Sequence, residues 1–169
     1  PDVANVLARV TGGQASIING LLQVSGGSNP NLFILNPAGV LLSPNARLNL
    51  AGSFSVSTAS GLAFEDGVFR AISSNDYGAL VGDPSGYVFL GNAGVLLNEP
   101  DLAVNPGESL TLTGNTVLNT GTLAAPAGNV SIVAIPEEGL VRISQTGLIL
   151  SLALPTDQRQ SQVENGLTA

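Results

Sequence analysis

The chain has 169 residues, of which 10% are charged; its formal net charge is −7, and its five basic residues are all Arg (Arg9, Arg47, Arg70, Arg142 and Arg159). Such a chain offers no electrostatic footprint for DNA, RNA or an anionic membrane, and with no Cys it has neither a disulfide nor a thiol metal site. The length suffices for one sizeable domain with a real core. No apolar run approaches the roughly 18–20 residues of a membrane span, and the longest, from Gly147 to Leu154, is interrupted by Ser151.

Apolar residues occur in many short segments, and 21 Gly and 10 Pro are scattered among them, a pattern that defeats a helical reading. Strands are expected near 4–10, 15–24, 31–35, 40–42, 46–50, 53–58, 62–64, 68–72, 86–90, 94–97, 109–113, 116–118, 121–123, 129–135, 139–144 and 147–153. The stretch Asn29-Pro30-Asn31-Leu32-Phe33-Ile34-Leu35-Asn36-Pro37-Ala38-Gly39 sets the pattern: a turn, a buried strand and a second turn. Asn accepts a hydrogen bond from the backbone beyond it, and Pro presets φ for the second position of a turn. Neither proline falls inside the strand, where it would remove a ladder hydrogen bond. The polar, Gly-rich section 73–86 reads as a protruding excursion. Residues 155–169 lose the apolar phase and read as a polar tail or linker, leaving 1–154 as a single solenoid domain.

Internal repeats fix the architecture. Phe33 to Leu42 aligns with Val88 to Leu97 at an offset of 55 (88 − 33), and Ala38-Gly39-Val40-Leu41-Leu42 resembles Ala93-Gly94-Val95-Leu96-Leu97. Ser53-Phe54-Ser55-Val56-Ser57 matches Ser109-Leu110-Thr111-Leu112-Thr113 at an offset of 56 (109 − 53). The triplets Leu110-Thr111-Leu112, Val130-Ser131-Ile132 and Leu150-Ser151-Leu152 recur at a spacing of 20 (130 − 110, 150 − 130). Period-two alternation puts both apolar residues of a triplet on one face. If one circuit takes about 20 residues, the triplets stack about 4.8 Å apart, with aliphatic columns inside and Ser and Thr facing water. The expected fold is therefore all-β, a right-handed parallel β-helix, the hand following from strand-crossover chirality. An antiparallel sandwich also has many short strands, but gives no reason for the phase to persist.

The Asn-Pro-Asn-Leu turn at 29–32, the Asn-Pro-x-Gly turn at 36–39 and Pro44-Asn45-Ala46-Arg47-Leu48 resemble the secretion domain of two-partner-secretion exoproteins, whose prototype is the amino-terminal domain of filamentous haemagglutinin. Arg9-Val10-Thr11-Gly12-Gly13 and Gly52-Ser53-Phe54-Ser55-Val56-Ser57-Thr58-Ala59 stand in the family's order, and the resemblance runs from about residue 4 to residue 145. It implies a right-handed parallel β-helix at the front of a secreted adhesin or haemolysin, made by a bacterium with an outer membrane. It also implies an extended passage through the periplasm, recognition by the POTRA domains of an outer-membrane transporter, and folding outside or at the cell surface. The residues it marks are Asn29, Pro30, Asn31, Leu32, Asn36, Pro37 and Gly39, as turn formers or as transporter contacts. Ala38 stands where the family usually has Asn. The family's signal peptide and amino-terminal cap are absent from this sequence, so the first coil is expected to show an open ladder edge.

No catalytic residues, cofactor or metal are expected. A glycosidase needs two carboxylates about 5–10 Å apart across a groove, and the adjacent acidic pairs, Glu65-Asp66 and Glu137-Glu138, sit beside Gly in apparent turns. Gly12-Gly13 and Gly26-Gly27 lack the trailing Asp of calcium-binding repeats. The sequon Asn129-Val130-Ser131 reads as part of a stacked strand. A second class of function is a β-helical adhesin module that binds surface glycans through exposed aromatics such as Tyr77 and Tyr87.

Overall fold

A computed structural model describes residues 2–136, 138–143 and 151–153. The first coil comprises β1 (Asn5–Arg9), β2 (Ser16–Ile18) and β3 (Leu21–Gln23), and the second β4 (Asn31–Leu35), β5 (Val40–Leu42) and β6 (Arg47–Asn49). A third opens with β7 (Phe54–Ser57) and leaves the stack through β8 (Gly61–Ala63), β9 (Val68–Arg70), a 3-10 turn at Tyr77–Ala79 and β10 (Gly86–Phe89). It rejoins through β11 (Val95–Asn98) and β12 (Leu102–Ala103). A fourth holds β13 (Leu110–Gly114), β14 (Thr116–Asn119) and β15 (Leu123–Ala124), and β16 (Val130–Ala134), β17 (Gly139–Arg142) and β18 (Ser151–Ala153) follow.

Three parallel faces result. The first is a five-stranded sheet in the order β1-β4-β7-β13-β16, the second a four-stranded sheet β14-β11-β5-β2, and the third is formed by the pairs β3-β6 and β12-β15. The molecule is thus a parallel β-solenoid of about 5 turns. Its interior is apolar: Leu32, Ile34, Val40, Leu42, Phe54, Val56, Leu96, Leu110 and Leu112 belong to one buried cluster.

The register corrects several details of the sequence reading. Leu110 faces Val130 and Leu112 faces Ile132, so the 20-residue period holds for the first two triplets. The third does not stack on them: Ser151–Ala153 pairs antiparallel with β17, and Leu150 lies outside the described residues. Phe54 faces Leu110, as the offset of 56 requires. The 55-residue alignment, however, is one residue out, because Val40 faces Leu96 rather than Val95. Val88-Phe89-Leu90 is not the counterpart of Phe33-Ile34-Leu35 at all, since β10 belongs to a different sheet.

That sheet is the largest departure from a plain solenoid. The expected solenoid strands near 62–64, 68–72 and 86–90, with residues 139–142 and 151–153 of those near 139–144 and 147–153, form instead an antiparallel sheet, β18-β17-β10-β8-β9; residues 144 and 147–150 lie outside the described residues. The excursion is accordingly wider than 73–86. Its inner face covers the outer face of the first sheet, and a second core forms between them from Leu35, Leu62, Phe69, Tyr87, Phe89 and Val141. Arg9 clamps the excursion from the first coil. Its guanidinium donates to the carbonyls of Arg70 (2.9 Å) and Ser73 (2.6 Å) and lies 5.8 Å from the Phe69 ring centroid.

Covering the first sheet also overturns the expectation that its Ser and Thr face water. Ser55, Ser57 and Thr113 are buried. The Thr113 hydroxyl donates to Ser57 Oγ at 2.7 Å, and Ser57 Oγ also accepts the Ala59 N–H at 3.0 Å. A buried hydroxyl must find such a partner, because leaving it unpaired costs about 1–3 kcal/mol. The predicted tail 155–169 lies outside the described residues.

Candidate functional site

The two Asn-Pro turns lie at the ends of β4, one leading into the first sheet and the other linking it to the second. Asn29 is exposed, Pro30 is buried and Asn31 is half-buried. The Asn31 amide donates to Asn5 Oδ1 at 3.0 Å, its Oδ1 accepts the Ser53 N–H at 3.0 Å, and Asn5 Nδ2 reaches Asp83 Oδ1 at 2.7 Å. One chain of hydrogen bonds therefore joins three coils to the excursion. Leu32 points into the main core.

Asn36 is 1% exposed. Its Oδ1 accepts the Ala38 N–H at 3.0 Å, the local bond that makes an Asx turn. Its amide donates to the Gln14 carbonyl (2.9 Å) and to Ser16 Oγ (2.8 Å), both on the preceding coil. The Gly39 N–H closes the turn on the Asn36 carbonyl at 3.0 Å. Gly39 has φ +121, a conformation that a side chain would strain. Pro37 is half-buried, and its carbonyl accepts the Gly94 N–H from the next coil at 2.7 Å.

These turns require glycines that sequence reasoning did not single out. A Cβ on Gly94 would sit 2.1 Å from the Ala38 carbonyl oxygen, and one on Gly52 would sit 2.5 Å from that of Pro30. The available signal was a glycine lying one coil beyond each Asn-Pro turn. A second missed feature is Asn98, fully buried, which donates to Asn119 Oδ1 at 2.8 Å and to the Pro100 carbonyl at 3.0 Å.

The seven marked residues thus fall into three groups. Pro30, Leu32, Asn36 and Gly39 are buried, Asn31 and Pro37 are partly covered, and Asn29 alone is exposed. Beside the second turn, Pro37, Gly61, Val68, Ile72 and Leu90 line a shallow apolar depression with Arg70 at its edge. It holds no carboxylate pair. Glu65 and Asp66 are exposed in the tight turn between β8 and β9, which the Phe64 N–H closes on the Gly67 carbonyl at 2.8 Å; Glu137 lies outside the described residues.

The aromatic pair expected to serve a glycan is also divided. Tyr77 is exposed, but Tyr87 is 2% exposed, with its phenol hydrogen-bonded to Ser55 Oγ. Burial pushes the Tyr87 phenol up to about 12, against a smaller lowering by Ser55.

The coil stack, the antiparallel cover and the interlocked Asn-Pro turns define a β-solenoid domain whose turns are its distinctive chemistry. Residues 1–166 match the family model of the TPS secretion domain, and the chain belongs to that family. Membership makes it part of a two-partner-secretion exoprotein, with a transporter as partner and an outer membrane to cross. A search of curated proteins finds no match. Among the described residues, no helix is long and apolar enough to cross a membrane.

Proposed function

We propose that this domain presents an adhesin- or haemagglutinin-like exoprotein to the periplasmic POTRA domains of its transporter while extended, and that it folds after emerging from the cell. Its role is non-catalytic, and the mature exoprotein is secreted or held at the surface. The observation that carries this reading is where the Asn31 and Asn36 amides find their partners. Both donate to a neighbouring coil, to Asn5 in one case and to Gln14 and Ser16 in the other. In an extended chain those donors are bonded only to water and can exchange it for another polypeptide; stacking the coils withdraws them. Recognition before folding and release by folding then use the same groups.

Paired substitutions test this. Asn36→Ala removes three hydrogen bonds at a buried position, and urea unfolding of the purified domain is expected to show a loss of about 2–3 kcal/mol. Asn29 is exposed, so Asn29→Ala is expected to leave stability within about 0.5 kcal/mol while reducing transporter-dependent export. Wild-type export of both variants, with the transporter still required, would refute a role for these turns. A glycan-binding reading gains nothing from the buried Tyr87.

A further inference from the structure

The two outer faces of the solenoid are treated differently. Among the described residues, the antiparallel sheet covers the first, whereas nothing covers the outward positions of β2, β5, β11 and β14, which carry no charged side chain. Ile17 faces Leu41, Leu41 faces Leu97, and Leu97 faces Leu118, so four aliphatic side chains form one column across four coils. Ile17 is 71% exposed and Leu118 50%, while Leu41 and Leu97 are half-buried. A second column beside it contains the 48% exposed Val95 and its paired neighbour Thr116, also exposed. The inward neighbours Val40, Leu42 and Leu96 are buried, so the face is rigidly backed.

We propose that this face docks an amphipathic α-helix of a partner protein, laid across the coils with an aliphatic stripe on the Ile17–Leu118 column and basic residues along one flank. Strands about 4.8 Å apart place the column's ends about 14 Å apart. Helix positions i, i+4, i+7 and i+11 span about 16 Å at 1.5 Å per residue, and a helix about 10 Å wide covers both columns. A second copy of the chain is a poor occupant. Its net charge of −7 would set like charge against the acidic border at Glu99 and Asp101, which a basic helix complements. The flank is set by charge: Glu99, the next outward position after Leu97, is exposed, as is Asp101. The Asp101 carboxylate accepts the Thr122 N–H at 2.8 Å, and that bond holds it below its ordinary value and hence charged. The opposite border has the neutral, exposed Gln14 and Asn92.

The probe is a helix-stabilised, fluorescein-labelled peptide of about 15 residues, with Leu at the four stripe positions and Lys along one flank. Anisotropy titration with the folded domain is expected to give saturable binding. Ile17→Glu and Leu118→Glu, at exposed positions, should each weaken it at least tenfold with circular dichroism unchanged, and Glu99→Lys several-fold. A peptide of the same composition with its leucines scrambled should not bind. Absence of saturable binding, equal binding of the scrambled peptide, or indifference to both Glu variants overturns the proposal. A dimer in sedimentation velocity that Ile17→Glu abolishes would also overturn it, assigning the face to a second copy.

Discussion

Replacing Tyr87 by Ala is expected to remove about 3–5 kcal/mol from the unfolding free energy, the usual cost of emptying an aromatic site in a core. Tyr87 is among the largest fully buried side chains and sits at the centre of the core that joins the antiparallel sheet to the solenoid. Tyr87→Phe keeps the ring but leaves Ser55 Oγ without its partner, at a cost of about 1–2 kcal/mol. The pH dependence separates the wild type from both variants, which lack the phenol. The folded-state phenol is raised from 10.0 to about 12, so between those values the unfolded chain loses a proton that the folded chain retains. Its contribution is complete below pH 10 and lost as pH rises through about 12, amounting to about 2–3 kcal/mol at 1.36 kcal/mol per pH unit. Urea titrations from pH 9 upward should show this alkaline decline in the wild type and a weaker one in Tyr87→Phe. Identical pH slopes would remove Tyr87 as its source.

Gly94→Ala is expected to cost about 3 kcal/mol, the upper part of the usual range for overpacking. The added methyl would lie 2.1 Å from the Ala38 oxygen and 2.4 Å from the Ala38 carbon, both backbone atoms of the coil above. The turn at Asn36 must then lift, and with it the Gly94 N–H to Pro37 carbonyl bond. Gly12 is the control, because a Cβ there meets nothing within 4 Å. Urea midpoints and amide exchange at Gly94 give the readout, and equal midpoints for Gly94→Ala and Gly12→Ala would mean that the coils do not meet as described.

The coil stack was legible because its determinants are one-dimensional. Leu110 and Leu112 recur as Val130 and Ile132 at one circuit's distance, and period-two alternation gave their face. The covering sheet was not legible, because its strands have the same composition as solenoid strands. Leu62, Phe69, Phe89 and Val141 are apolar for a second core that no periodicity separates from the first. The same ambiguity made Ser and Thr on the outer face of the first sheet read as solvated, although Ser57 and Thr113 lie buried under the cover. The 55-residue identity misled by one position because Val95, unlike its look-alike Val40, stands outward. At the turns, Asn and Pro announced the corners, but the choice of partners across coils, such as Asn36 with Gln14 and Ser16, exists only in three dimensions.

The cover is stitched from widely separated pieces: β8 and β9 come before β10, and β17, the other neighbour of β10, enters only at residue 139. The coils from β1 to β15 can thus wind while the lid still lacks β17. The Thr113–Ser57 hydrogen bond, across 56 positions, lies wholly within the coils, whereas Tyr87 needs Val141 as its neighbour in the lid. A chain cut short of residue 139 would wind most of its coils yet leave the flank of β10 ajar, so the flap is complete only when the segment beyond the fourth coil is present.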